Sequence, residues 1–462
     1  MGDDARIRQP RRGFVVSARG FIPWSPRRWQ AAGGQSSTGT TVRRPLLYFL
    51  LIRLSQARGG EEPAITVPAS GAPLATVDWR EVRAAFPTAG TTVYLNTGTV
   101  GLRPRPVVDR LLAATGRLES GGRDAYPELV PEVDRARAKL ADLLGAQPEE
   151  IALCGNATDA INWVVAGLDW SDGDEVLLSA QEHPAMLWPW TYLQQRRAVR
   201  LRRFPISADP ERCLAEIRPL CGPRTRLIAS SHVSTETGTR VPAGEIAAWA
   251  RERGILTLFD GAQAIGDIPV DVGRIGSDFY AGNGHKWLCG PTGTGFLWGR
   301  LEQLTRLWPA HVGAGSAGAF APDGLTLQAS GKRFEYGTRD YARWVGMTAA
   351  LDWLAALGGV AAIGERLRAL ATYLRDAVRE RPGWTLLTPE AWDGSSALTT
   401  FRIEGWRPAA LQAGLEARRP RIITRQVPEH DALRISTHYF NDESDIEALL
   451  EELEALVGGA RG

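Results

Sequence analysis

Lysine is rare in this chain, and one of its few lysines stands where a nucleophilic amine would be useful. The 462 residues carry positive charge almost wholly as arginine, and only Lys139, Lys286 and Lys332 depart from that habit. A guanidinium stays protonated, whereas a desolvated ammonium releases its proton and becomes a nucleophile able to form a Schiff base. Lys139 falls on a charged helix face and reads as ordinary surface. Lys286 follows a predicted strand in Gly282-Asn283-Gly284-His285-Lys286-Trp287, where glycines let the backbone approach a ligand closely. A comparable place is held by Asp260 in Phe259-Asp260-Gly261-Ala262-Gln263, an acid ending an apolar strand at the edge where open α/β sheets bind ligands. An acid there calls for a cation. A protonated pyridine-type nitrogen suits it, because an opposite charge at contact shifts a pKa by about 1–3 units. Gln263 would then meet a ring hydroxyl. The structural alternative for Asp260 is a cap on the next helix.

Three further positions could complete such a site. Gly155-Asn156-Ala157-Thr158-Asp159 follows a strand and opens a helix, so its free N–H groups and the helix dipole favour a phosphate. His183, in Gln181-Glu182-His183-Pro184, sits past another strand end, where an imidazole stacks on an aromatic ring or simply packs. Arg434, in Leu433-Arg434-Ile435-Ser436, offers a bidentate fork to a substrate carboxylate, or forms a structural ion pair.

Placing these residues together requires a layered fold. From about residue 78, short apolar runs alternate with amphipathic helical patterns, the mark of βαβ units around a mostly parallel sheet. The strands expected are Ile151–Cys154, Glu175–Ser179, Leu227–Ser230, Leu256–Phe259, Asp278–Ala281 and Gly295–Trp298, with helices at Val133–Leu144 and Gly244–Arg253. A second pattern starts near Trp344, with strands around Leu398–Ile403 and Leu433–Ser436 and a closing acidic helix Asp442–Val457. The expected division is an arm at 1–75, a large α/β domain at 76–335 and a small α+β domain at 336–462. Gly331-Lys332-Arg333 reads as the connection between the last two.

Composition excludes several classes. Hydrophobic residues at 44% and charged residues at 23% describe a globular chain rather than a disordered or membrane-embedded one. Residues 1–60 hold 11 Arg against only Asp3 and Asp4, ahead of a mildly acidic body. Such an arm could bind nucleic acid, but no helix-turn-helix pattern accompanies it, and a poorly ordered tail is the favoured reading. The apolar run at 46–52 is too short to span a bilayer, which needs about 20 residues. Cys154, Cys213, Cys221 and Cys289 show no metal-type spacing and no disulfide framework. The expected compartment is the cytoplasm, with no metal and no membrane partner.

Taken together and in this order, these residues resemble the class V aminotransferase family of fold-type I enzymes dependent on pyridoxal 5′-phosphate (PLP), over roughly Tyr94 to Leu456. Tyr94-Leu95-Asn96, Ser231-His232-Val233-Ser234 and Gly337-Thr338 add to the likeness. The resemblance implies a seven-stranded-type sheet and PLP linked to Lys286, with Asp260 on the pyridine nitrogen, Gln263 on the ring hydroxyl and His183 stacked on the ring. It implies Ala157, Thr158, Asn283 and His285 at the phosphate, Arg434 and Asn96 at the substrate, and a homodimer whose Thr338 reaches the neighbouring site.

The likeness divides further along the chain. Asn283 resembles the isopenicillin N epimerase-like branch, whereas the segments around Glu335 and His438 resemble cysteine and cystine C–S lyases. No cysteine follows Cys289, so the thiol that cysteine desulfurases of the family use is absent. The expectation is chemistry at Cα of an amino acid, with β-elimination of a cysteine-type substrate ahead of epimerisation and transamination. A catalytically silent PLP-fold regulator is the non-enzymatic alternative.

Overall fold

The computed structural model describes residues 77–88, 91–321 and 324–459, all within the compact unit Val67–Gly462. The basic arm and the apolar run at 46–52 lie outside the described residues. The strands are, in chain order, β1 Thr92–Tyr94, β2 Ile151–Cys154, β3 Glu175–Ser179, β4 Arg200–Phe204, β5 Thr225–Ser231, β6 Leu256–Asp260, β7 Phe279–Asn283 and β8 Gly295–Gly299. They continue with β9 Ala317–Ala321, β10 Gly324–Leu327, β11 Trp384–Leu386, β12 Leu398–Ile403, β13 Arg421–Ile423, β14 Arg425–Val427 and β15 Ala432–Ser436.

The main sheet has seven strands in the order β2-β8-β7-β6-β5-β3-β4. The ladder from β7 through β4 is parallel, and β8 runs antiparallel to both its neighbours. All six expected strands of this sheet are present, and the seventh, β4, went unread. Its sequence Arg-Leu-Arg-Arg-Phe lacks an apolar run because it is an edge strand, and charge on an edge discourages pairing with other chains.

Alternation along the central strands feeds two hydrophobic layers. Phe259 and Tyr280 pack on one side with the helices Tyr126–Leu144 and Ala243–Arg251, while Leu258, Phe279 and Ala281 face the helix Ala157–Gly167 on the other. At the carboxyl edge the parallel strands end together on Ser231, Asp260 and Asn283.

The C-terminal region carries a four-stranded antiparallel sheet, β11-β12-β15-β14, under the helices Gly359–Arg379 and Glu443–Gly459. The N-terminal β1 joins this region by pairing in parallel with β13. The segment expected as a connection, Gly331–Phe334, is a 3₁₀ turn pressed against β2, since a Cβ on Gly331 would overlap the backbone of Ile151. Among the described residues no single helix is long and apolar enough to cross a membrane.

Candidate active site

The carboxyl edge of the main sheet opens on a cavity of about 260 Å³ lined by Lys286, Asp260, His183, Gln263, Asn283, His285, Ala157 and Thr158. Eight of the eleven positions singled out in the sequence therefore meet there. Lys286 is brought in by a tight backbone approach: Gly101 N–H donates to the His285 carbonyl at 2.8 Å, and a Cβ on Gly101 would strike the Lys286 carbonyl. Burial pushes the Lys286 ammonium down to about 8, opposed by the Asp260 charge. Burial likewise raises the Asp260 carboxyl, and Lys286 opposes that shift. One Asp260 oxygen accepts from Ala262 N–H at 2.9 Å, so the acid caps its own turn as well as facing the cavity.

Around the helix Ala157–Gly167 the capping is nearly complete. Asn156 accepts from Asp159 N–H at 3.0 Å, and Asn283 Oδ1 accepts from Ala157 N–H at 2.8 Å. The Thr158 N–H is left without an acceptor, as is the Nδ2 of Asn283, among the described residues. His285 Nδ1 is also buried without a partner, and burial lowers its ring to about 4. The residues that carry these atoms all line the cavity, which fits a phosphate held by a helix N-terminus.

His183 caps the helix Pro184–Arg196 by accepting from Ala185 N–H through Nδ1 at 3.1 Å, which assigns the remaining proton to Nε2. Burial, then the nearby Lys286, lower its pKa to about 4, so the ring is neutral. Gln263 is a strut. Its Nε2 donates to the Gly98 carbonyl at 2.8 Å and to Thr235 Oγ1 at 3.1 Å, while its Oε1 accepts from Trp287 Nε1 at 2.9 Å. Contact with a ring hydroxyl would share or replace one of these bonds.

Arg434 is fully buried, and it stands behind the cavity wall rather than in it. It donates to the Thr235 carbonyl (2.9 Å) and Oγ1 (2.8 Å), to Thr99 Oγ1 (3.2 Å) and to Asn96 Oδ1 (3.3 Å). Its Nε has no partner, and among the described residues no carboxylate lies within ion-pair distance. The structural ion pair is therefore not formed. Burial, aided by Arg425, lowers its pKa to about 9. Asn96 acts here through Arg434 and does not line the cavity.

Two residues escaped the sequence reading. Arg425, directly opposite Arg434 in the β14–β15 ladder, does line the cavity. A short turn between strands ending at Val427 and starting at Ala432 sets that register, so hairpin arithmetic from Arg434 would have found it. Glu182 is buried beside His183, with Ser179 Oγ donating at 2.5 Å and Ser231 donating from N and Oγ at 2.7 Å each. Burial raises it to about 8. Ser231 in turn pairs with Asp260 across β5 and β6 and lines the cavity.

Three further residues lie outside this cavity, among them Thr338, which was expected to reach a neighbouring copy's site. Thr338 lines a different depression of about 560 Å³, on the far side of the Gly155–Asp159 turn. Glu335 is a structural acid, clamped by Arg137 Nη1 and Nη2 at 2.6 and 3.0 Å and by Leu153 N–H at 2.9 Å. His438 is buried and stacked on Trp287 at 5.5 Å, not in the cavity.

A buried lysine and acid at the carboxyl edge of a mostly parallel sheet, with a phosphate corner beside them, define an enzyme that carries PLP. The comparisons with known proteins place the chain in that class and narrow it. The chain belongs to the aminotransferase class-V family, whose sequence pattern matches residues 93–449. It is 38% identical over 398 residues to the isopenicillin N epimerase of Streptomyces clavuligerus, covering 83% of this chain and all of that one. It is 30% identical to the cysteine desulfurase CsdA of Escherichia coli, over 81% of this chain and 96% of the relative. Among solved structures, the cystine C–S lyase C-DES with its product cysteine persulfide superposes with a TM-score of 0.74 at 30% identity, over 80% of this chain and 98% of that one.

Proposed function

We propose that this PLP-dependent enzyme removes the Cα proton of an amino acid that presents its carboxylate to Arg434 and a second anionic group to Arg425. The observation that carries the reading is the polarity around the cavity: a buried lysine and acid in its lining, Arg425 lining it without a carboxylate partner, and Arg434, likewise without one, just behind the wall. When bound, PLP supplies an electron-withdrawing ring that acidifies the Cα proton. Lys286 would hold it covalently through Nζ, Asp260 would face the ring nitrogen and His183 the ring face. Thr158, Ala157, Asn283 and His285 would hold the phosphate, with Thr338 supplied by a second copy in a homodimer. Gln263 would keep Thr235 and Trp287 in place around that ring.

Lys286 is the base in this reading, because an amine lowered to about 8 keeps roughly a tenth of its population free to accept a proton near neutral pH, far more than an ordinary lysine does. Arg434 orients the substrate by a charge-assisted fork, and the neutral His183 closes the opposite face. Epimerisation, in which the proton returns from the other side, is the leading outcome. The 38% identity with an epimerase over its whole length supports it. β-Elimination from a cystine-type substrate is the second reading, supported by the likeness to C-DES. A persulfide on the enzyme has no support, since no cysteine lines the cavity and the turn at 428–431 holds none. A cytoplasmic location and a division near residue 336 belong to the same proposal.

Absorbance spectra of the wild type and Lys286→Ala test the cofactor assignment: a borohydride-reducible yellow band is expected in the wild type alone. Incubation with L-cystine under pyruvate detection, and with a panel of amino acids and small peptides in D₂O under Cα NMR, then separates the outcomes. Deuterium at Cα with inversion selects the epimerase and pyruvate release the lyase. Absence of the band from both proteins overturns the reading.

A further inference from the structure

On the other side of the strand ends that line the PLP cavity lies a larger groove of about 1010 Å³. The two share a wall. Along Ser231-His232-Val233 alternate residues face opposite ways, with Ser231 and Val233 on the cofactor cavity and His232 on the groove. The groove runs between the main sheet and the C-terminal region: Ile265, Val270 and Leu144 line one part of it, and Val360 and the turn at 391–394 another. Nothing in the reaction proposed above uses it.

Its chemistry is specific. The floor is largely apolar, and Arg240 lines it half-buried, with no hydrogen bond or ion pair to its guanidinium among the described residues. The acids lining the groove do not answer it, and Asp267, buried behind the wall and stabilised by the Arg240 charge at a distance, forms no ion pair with it and accepts from Ala397 N–H at 3.1 Å. Asp209 and Asp271 accept from the backbone N–H groups of Arg212 and Arg274 at 2.7 and 2.9 Å, capping their helices, and Glu245 and Asp393 are exposed. A guanidinium over an apolar floor selects an anionic head on an apolar body. His232, buried and neutral, is fixed by a 2.7 Å bond between Nδ1 and Tyr280 Oη, and its backbone N–H donates to the Asp260 carbonyl at 2.9 Å. An occupant of the groove would therefore rest on the residue that braces Asp260 from behind.

We propose that this groove binds a small carboxylic acid with an apolar body, its carboxylate on Arg240, as a site separate from the PLP cavity. The test uses the PLP-loaded full-length protein and calorimetric titration with decanoate, and with decyltrimethylammonium as the body of opposite charge. Decanoate should bind wild type in the micromolar to low millimolar range, weaken at least about tenfold in Arg240→Gln, and weaken also in Val270→Trp, whose indole intrudes on the apolar floor. The cationic probe should not bind. Both variants should keep the PLP absorption band, which shows that they fold and that the cofactor site is intact. Decanoate binding unchanged in Arg240→Gln, equal binding of the cationic probe, or no decanoate binding to wild type would each overturn the assignment.

Discussion

The two sides of the proposed PLP site are built on opposite electrostatic plans. At the sheet end Lys286 and Asp260 are both buried, and each opposes the shift that burial imposes on the other. At the hairpin end Arg425 and Arg434 stand directly across a ladder with no carboxylate, and Arg434 satisfies itself on carbonyl, hydroxyl and amide oxygens. Burying an unpaired cation is costly, and such an arrangement persists where a ligand supplies the anion. On the proposed reading, the protein closes its own charge balance where Lys286 would hold the cofactor and leaves it open where the substrate would be recognised. The ends are not independent: Trp287, next to Lys286, donates to Gln263, which donates to Thr235, the acceptor of Arg434.

Removing the amine should break the comparison most severely. Lys286→Ala is expected to lose at least about 10³-fold in turnover, the scale of a positioned general base, with loss of the reducible band. Asp260→Ala should follow with about 10–10³-fold lower turnover at nearly unchanged KM, since a contact charge is worth about 1–3 pKa units to a ring nitrogen. At the hairpin end the loss should appear in KM instead. Arg434→Gln should raise it about 10–100-fold, because hydrogen bonds to charged groups contribute about 1.5–3 kcal/mol. Arg425→Gln should raise it less, with the larger effect on substrates bearing a second anionic group; equal effects on both substrate types would remove the division of labour between the two arginines.

The smallest effect sharpens the sheet end alone. Capture of PLP by the apoprotein needs the free amine, so its rate should climb with pH and level off above about 8, the value to which burial brings Lys286. Asp260 opposes that lowering, so in Asp260→Asn the limb should move to lower pH. Stopped-flow absorbance across pH 6 to 10 would detect the move, and a limb fixed in place would separate the two groups.

The same division governed what could be read in advance. The sheet end was legible because a lysine in an arginine-rich chain and an acid ending an apolar strand are visible one residue at a time, and the six apolar strands around them were found. The hairpin end was only half legible. Arg434 stands out between apolar residues, but Arg425 acquires meaning only from its cross-strand partner, and β4 hides its strand character under edge charge. Glu335 and His438 stood out only as parts of lyase-like segments, and a sequence does not show that Arg137 or Trp287 will meet them. Gln263 lines the expected cavity, yet its three hydrogen bonds to distant segments were beyond any local pattern.

The tight β14–β15 hairpin has an evolutionary corollary. Arg425 and Arg434 lie on one short contiguous stretch of chain, while the acid ends β6 and the amine follows β7, both far upstream. A lineage could therefore change what it accepts by recombining or drifting within that stretch alone, inheriting the proton-transfer apparatus unaltered. Grafting the Arg425–Ser436 segment between relatives is the corresponding engineering route to altered substrate preference.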